Sequence, residues 1–435
     1  MKSIVVLGAG IAGCGAAHRL REQGVSSTLY EKNSYAGGHT YTYQEAGGWV
    51  FDEGPHISFT KNEEVKQLLA DNVDNQYVTG QVRLNNHWKG HWIKHPAQVH
   101  LHGLPTDLIV ECIKDFVDAQ KMSDGPVANY QEWLYRAYGK TFAETFPMEY
   151  GLKYHTTPAS NMSTDWLGPR FYRPTLEEVL KGAFSSDSQA VHYVTDFRYP
   201  TREGFLAYLK KFFDESTIKL DHKVTELDPK RKQIRFSNGT VVPYEGVVSS
   251  IPLPDLIPLI VGAPPDVLEA AQRLACTTVV IVTVGVNRTD ISDTHWTYFY
   301  DRDYIFSRVS LPHLQSPHNA PSGCASIQAE CYFSEKYKPL KKEPKAYVET
   351  VVADLRRCGF IRPDDKILME HVMLVPYANI IFDLDRAAAL KTVHGYLDDI
   401  GIGYCGRYGD WGYLWTDESL ISGERAAQKV LDGKK

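Results

Sequence analysis

Ile4-Val5-Val6-Leu7-Gly8-Ala9-Gly10-Ile11-Ala12-Gly13 decides the architecture of this chain. The short β-branched apolar run is the pattern of a strand buried on both faces of a parallel sheet, and glycines follow at once in the spacing Gly8-x-Gly10-x-x-Gly13. Ala12 to Gln23 then reads as a helix with Ala16, Ala17 and Leu20 on one face, and Ser27-Thr28-Leu29-Tyr30 as a second strand ending in Glu31. This is a complete βαβ unit of the kind that binds a dinucleotide. Gly8 makes the tight turn, Gly10 lets the backbone approach a pyrophosphate at the helix amino terminus, Gly13 lets helix and strand pack, and Glu31 accepts from a ribose hydroxyl. An acid there favours a free 2′-hydroxyl over a 2′-phosphate.

The rest of the composition narrows the class. At 435 residues the chain is long enough for about three domains or one interleaved enzyme. With 43% hydrophobic and 23% charged residues, it is neither disordered, collagen-like nor coiled coil. Lys+Arg number 47 against 53 Asp+Glu, a formal charge of −6, and no basic run is long enough to track phosphates, so no nucleic-acid partner is expected. The seven cysteines are scattered and never spaced C-x-x-C, which suggests neither a disulfide framework nor a metal site. They read as buried thiols in a reducing cytoplasm. The apolar start superficially resembles a signal peptide, but glycines interrupt it, and no stretch approaches the length of a membrane span.

Farther along, Lys219 to Leu227 alternates as a strand, Gln233 to Val241 makes a hairpin around Asn238-Gly239, and Val247 to Pro252 is another buried strand. Leu108 to Lys121 and Tyr130 to Tyr138 are helical in pattern, whereas Thr277 to Val286 and Ser326 to Cys331 alternate as strands. Ile402 to Trp411 leads through a loop into a final helix that contains Asp417, Ser419 and Gly423.

Beyond Glu31, the continuation Lys32-Asn33-Ser34-Tyr35-Ala36-Gly37-Gly38-His39 resembles the E-x(5)-G-G extension of two-dinucleotide-binding-domain flavoproteins. That group includes amine oxidases, protoporphyrinogen oxidases, phytoene desaturases and UDP-galactopyranose mutases. The resemblance implies FAD and an α/β fold: a Rossmann-like FAD-binding domain with an inserted helical cap and an antiparallel-sheet substrate domain. The expected segments are 1–75, 197–265 and 385–435 for FAD, 76–196 for the cap and 266–384 for the sheet. The cofactor-binding positions it implies are Gly8, Gly10, Ala12, Gly13, Glu31, Lys32, Gly37, Gly38, His39, Val224 against the adenine, Arg407, Asp417 and Ser419, with the final helix aimed at the flavin.

Five ordered segments are similar to UDP-galactopyranose mutases. Gly54-Pro55-His56-Ile57 with Thr60 and Asn62-Glu63 looks like their histidine loop, and Trp92-Ile93-Lys94-His95-Pro96-Ala97-Gln98 their W-x-P-Y-P-x-Q. Tyr150-Gly151-Leu152-Lys153, then Trp166 and Arg170, follows their Y-x-x-K…W…R order. Trp296 to Asp301, then Phe306-Ser307-Arg308 and Ser316-Pro317-His318-Asn319, resembles the eukaryotic pattern, and Gly406-Arg407 to Tyr413 and Asp417 keeps the bacterial spacing. Phe197-Arg198-Tyr199-Pro200 with Gly204-Phe205 also resembles their F-R-F-P-x-x-G-G, and Tyr377 to Asp385-Arg386 their Y-P-x-P-T-x-x-R-D region. Ser58-Phe59 and Ala378 to Phe382 depart from the mutase pattern, and Ser422 to Ala426 is closer to the oxidases.

The resemblance implies site residues His56, Arg170, Arg308, Tyr377 and Tyr413. The arginines and tyrosines would hold a diphosphate, for which guanidinium forks are suited. It implies a pyranose–furanose mutase acting on a UDP- or dTDP-linked sugar, in which N5 of reduced FAD attacks the anomeric carbon. A homodimer in the cytoplasm, with no membrane partner, belongs to the same expectation. An amine or protoporphyrinogen oxidase, or a desaturase, is the alternative on the same frame. A salt-bridge role for each arginine, pairing of Arg407 with Asp410 or the final helix, and a turn-stabilising role for His56 also stay open.

Overall fold

A computed structural model of the chain describes residues 4–122, 125–168, 172–187 and 196–433. Ile4–Leu7 is the middle strand of an all-parallel five-stranded sheet, ordered Ile402–Tyr404, Gly246–Ser249, Ile4–Leu7, Ser27–Tyr30, Thr217–Lys219. Both faces are covered, as its uninterrupted apolar pattern requires: Ile4 and Val6 pack with Ala16, Leu20 and Ala427, and Val5 and Leu7 with Leu227, Phe236 and Leu253. The neighbours come from the start, middle and end of the sequence, so this domain is discontinuous.

Glycine permits its closest approaches. A Cβ on Gly13 would lie 2.0 Å from the Gly8 carbonyl oxygen, which locks helix Ile11–Glu22 onto its strand. A Cβ on Gly423 would lie 1.9 Å from the Ala12 carbonyl oxygen, so the final helix Thr416–Leu431 rests directly on the first helix.

The expected strand from Lys219 to Leu227 is two strands. Asp221 turns the chain at φ 56°, and its amide and that of His222 donate to Asn33 O and Glu31 O at 3.0 and 2.8 Å. Thr217–Lys219 therefore edges the parallel sheet, while Val224–Asp228 joins an antiparallel sheet with Gln233–Phe236 and Val241–Pro243.

The large sheet has the order Ile367–Val375, Thr278–Val286, Ala325–Phe333, Arg308–Ser310, Trp296–Phe299, Leu84–Trp88, His91–Lys94. Its pairings are antiparallel, as expected, except that Leu84–Trp88 pairs parallel with Trp296–Phe299, so a hairpin within the stretch expected to form the cap joins the sheet. Its buried residues are polar, which hid it. Asn86 accepts from the Tyr300 hydroxyl at 3.2 Å, and His87 pairs with Asp301 at 3.2 Å. Thr106–Ala119, Tyr130–Tyr138, Lys140–Thr145, Pro147–His155 and Leu176–Phe184 form the helical segment around Phe116, Leu134 and Phe146. Among the described residues, no helix is long and apolar enough to cross a membrane, and all seven cysteines are free thiols.

Candidate functional site

The glycine loop ends at Gly10, which caps the first helix without any side-chain hydrogen bond. A Cβ there would be in ordinary contact with the facing Gly37-Gly38 backbone, at 3.5 Å and beyond, and no side chain caps the first-turn amides. Gly37-Gly38 lies across the loop, with Gly37 N donating to Ala9 O at 2.9 Å. Glu31 is buried, and its two carboxylate oxygens accept from Ala9 N and Asn33 N, both at 2.9 Å. A carboxylate has about four acceptor positions, so capacity remains for ribose hydroxyls. Val224 is buried beneath this end of the sheet, whereas Lys32 is exposed. Asp417 and Ser419 sit in the first turn of the final helix and do not line the cavity described next.

A cavity of about 570 Å³ opens between the parallel-sheet domain, the large sheet and the helical segment. His39, His56, Arg308, Tyr377, Arg407 and Tyr413 converge on it. The two sites adjoin: Gly406, beside Arg407, packs so tightly on Ala12 that a Cβ would come within 2.8 Å of the Ala12 side chain. His39 pairs with Glu53 and lies 5.2 Å from the Tyr408 ring.

His56 is held by its own loop and by Gln315. Its Nδ1 contacts Gly54 O at 3.0 Å, and its carbonyl accepts from Gln315 Nε2 at 3.2 Å. A carbonyl can only accept, so the proton is on Nδ1 and Nε2 is the acceptor. Burial pushes the ring pKa down to about 3, with Arg407 and His39 acting the same way and the Gly54 carbonyl opposing, so His56 is neutral at physiological pH.

Arg308 and Arg407 are held differently. Arg308 Nε and Nη2 form a fork on Glu330 at 2.6 and 2.8 Å, and Tyr332 donates to the same carboxylate at 3.1 Å. Burial alone would lower the Arg308 pKa, but the Glu330 charge overrides it and holds the guanidinium well above its ordinary range. Strand register sets the pair, since Arg308 lies directly opposite Glu330. Arg407 instead donates to Leu414 O at 2.9 and 2.6 Å and to Ala378 O at 3.1 Å. Asp410, its candidate partner from the sequence, accepts from Ser422 and Arg425 at 2.5 and 2.7 Å. Arg407 thus carries its charge beside the Tyr413 ring, 5.5 Å away, held by main-chain carbonyls.

The Tyr377 hydroxyl is already committed, donating to Asp255 at 2.6 Å. Arg170 lies outside the described residues. Lys153 fastens the helix bearing Tyr150 and Tyr154 to the large sheet by donating to Phe299 O at 2.9 Å and Asp301 O at 2.6 Å. Burial pushes its ammonium down to about 7. Sequence reasoning missed Glu330 and His155, which also line the cavity. Glu330 is the one charged residue of the alternating strand from Ser326, which was the available signal for it; for His155 there was none.

Residues 6–71 match the family described as NAD(P)-binding Rossmann-like domain. A 1-hydroxycarotenoid 3,4-desaturase of a Flavobacterium species is 36% identical over 92 residues, which is 20% of this chain and 19% of that protein. A 4,4'-diapolycopene oxygenase of a Methylomonas species is 25% identical over 382 residues, covering 75% of this chain and 74% of its own. The match thus spans about a fifth of the first relative and three quarters of the second. Among solved structures, reduced UDP-galactopyranose mutase superposes with a TM-score of 0.93 at 24% identity, over 100% of this chain and 96% of that one. A protein of an Exiguobacterium species assigned as a protoporphyrinogen oxidase gives 0.75 at 17% identity, over 99% of both chains.

Proposed function

Because the chain has the flavoprotein fold of the mutase and oxidase structures, we propose that it binds FAD and, with that cofactor reduced, interconverts the pyranose and furanose forms of a UDP- or dTDP-linked sugar. The residues fit the cofactor. The uncapped helix start at Gly10 suits its pyrophosphate and the spare acceptor capacity of Glu31 its ribose. Bound there in its reduced form, FAD would supply a nucleophilic ring nitrogen.

The observation that carries the reading is the end-to-end superposition on the mutase, closer than on the oxidase-like structure. The chain's own groups support it. Arg407 places a fixed positive charge at the junction of the two sites, suited to stabilising negative charge on a reduced ring. Arg308 keeps N–H groups beyond those bound to Glu330, and with Tyr413 it would hold the leaving diphosphate close while the sugar ring opens and recloses. Arg170 is the second proposed diphosphate ligand. His56, neutral and accepting through Nε2, orients without transferring a proton.

A desaturase or oxidase reading is favoured by one observation, that the curated relatives named above are carotenoid enzymes. Anaerobic titration of the dithionite-reduced protein with UDP, dTDP and UDP-galactose, followed by flavin absorbance, separates the two. Tighter binding to the reduced than to the oxidised form, lost in Arg308→Ala, is the result expected of a mutase. A flavin-loaded protein that ignores all three and consumes oxygen with an apolar substrate would overturn it.

A further inference from the structure

His155 ends the helix Pro147–His155, and the next residue, Thr156, turns left-handed at φ 62°. The Thr156 hydroxyl contacts both His155 O and the Ser334 hydroxyl at 2.6 Å, which fixes the backbone. The ring is only 4% exposed and is wedged between Tyr154 and Trp166, with centroids 4.9 and 5.1 Å away. It lines the cavity. Among the described residues, neither nitrogen has a hydrogen-bond partner, and Nδ1 is fully enclosed.

A neutral imidazole has one donor and one acceptor. Burial keeps this ring neutral, pushing its pKa down to about 3. An enclosed N–H without a partner is rarer than an under-used acceptor, so the cheaper tautomer leaves the lone pair on enclosed Nδ1 and puts the proton on Nε2. Nε2 is the edge left to the cavity. A directional, uncharged donor on a rigid helix end is suited to an oxygen acceptor, and it adds no charge for a phosphate.

We propose that His155 is a specificity-determining residue, whose Nε2–H donates to an oxygen of the bound nucleotide sugar and fixes its orientation in the cavity. This rests on the nucleotide-sugar reading above. The acceptor is a sugar hydroxyl or an oxygen of the nucleotide, and the binding arms below tell these apart.

The test combines His155→Phe, which keeps a flat ring between Tyr154 and Trp166, with a measurement on the unaltered protein. Reduced wild type and variant, each flavin-loaded, are titrated with UDP and with UDP-galactose. The variant is expected to bind about tenfold more weakly, the factor for one hydrogen bond worth ~1.4 kcal/mol. Weakening with both ligands assigns the acceptor to the nucleotide; weakening with UDP-galactose alone assigns it to the sugar. Equal binding by wild type and variant overturns the role of His155 and leaves the mutase reading intact, whereas a wild type that binds neither ligand overturns both. Should the variant fail to fold, nitrogen NMR of histidine-labelled wild type decides. A neutral ring protonated on Nε2 between pH 5 and 8, with that resonance shifting on addition of UDP-galactose, is the result expected. A proton on Nδ1, a charged ring, or an unmoved Nε2 signal overturns the proposal.

Discussion

Replacing Glu330 by glutamine should lower stability and raise anion affinity together. Glu330 is 3% exposed and holds Arg308 through two bonds of 2.6 and 2.8 Å. Breaking a fully buried pair costs about 3–5 kcal/mol. Arg308 is 20% exposed toward the cavity, and glutamine keeps one acceptor, so about 2–3 kcal/mol is the better figure. A chain of 435 residues has an unfolding entropy of roughly 0.9 kcal/mol/K, so Tm should fall by about 2–3 °C. The opposite sign applies to ligands. A phosphate on the far side of the Arg308 guanidinium lies about 7 Å from the carboxylate, a repulsion of ~2.4 kcal/mol at an effective dielectric of about 20. Halving that for screening through the open cavity leaves close to tenfold tighter UDP binding as the expected gain. Thermal unfolding and the anaerobic UDP titration measure the two effects on one sample. A variant that loses UDP affinity along with stability would show that Glu330 is needed for the ligand rather than opposing it.

Other perturbations have equally definite signs. Asp52, buried and bonded to Thr42, Tyr199 and Phe205 N at 2.6, 2.7 and 3.0 Å, is pushed up to about 6 by burial despite those bonds. The folded state therefore holds its proton longer than the unfolded chain. Stability should fall as pH rises from about 4 to 6, by ~3 kcal/mol, and urea unfolding of Asp52→Asn should show that slope removed. Arg407→Lys cannot span Leu414 O and Ala378 O at once, so UDP affinity of the reduced protein should drop about tenfold with little change in Tm. Gly423→Ala places a methyl 1.9 Å from the Ala12 carbonyl oxygen, forcing the first and last helices apart. A loss of about 1–3 kcal/mol and poorer flavin retention, read by unfolding and by flavin-to-protein absorbance ratio, are expected.

Segments whose neighbours are close in sequence were legible. Ile4 to Glu31 announces strand, turn, helix and strand because each step is local: β-branched residues extend, Gly8 turns, and Gly13 admits the helix. Thr278–Val286 and Ala325–Phe333 were readable from their apolar patterns. Leu84–Trp88 was not, since the side chains it buries, Asn86 and His87, are polar and find their partners more than 200 residues away in Tyr300 and Asp301.

The cavity divides along the same line. Arg308 and Arg407 were picked out by the motifs around them, but what holds each was not. Glu330 becomes a partner only when two strands align Arg308 opposite it, and Arg407 bypasses nearby Asp410 for the carbonyls of Ala378 and Leu414. The Tyr377 hydroxyl is taken by Asp255, and His155 draws its isolation from the rings packed around it. The glycine loop, the parallel frame and the candidate charges are written locally, because backbone geometry and side-chain periodicity are encoded within a few residues. Which charges are neutralised, which hydroxyls are occupied and that the His155 ring has no hydrogen-bond partner among the described residues follow from the folded packing alone. Those properties depend on burial and on contacts between distant segments, which no local pattern specifies.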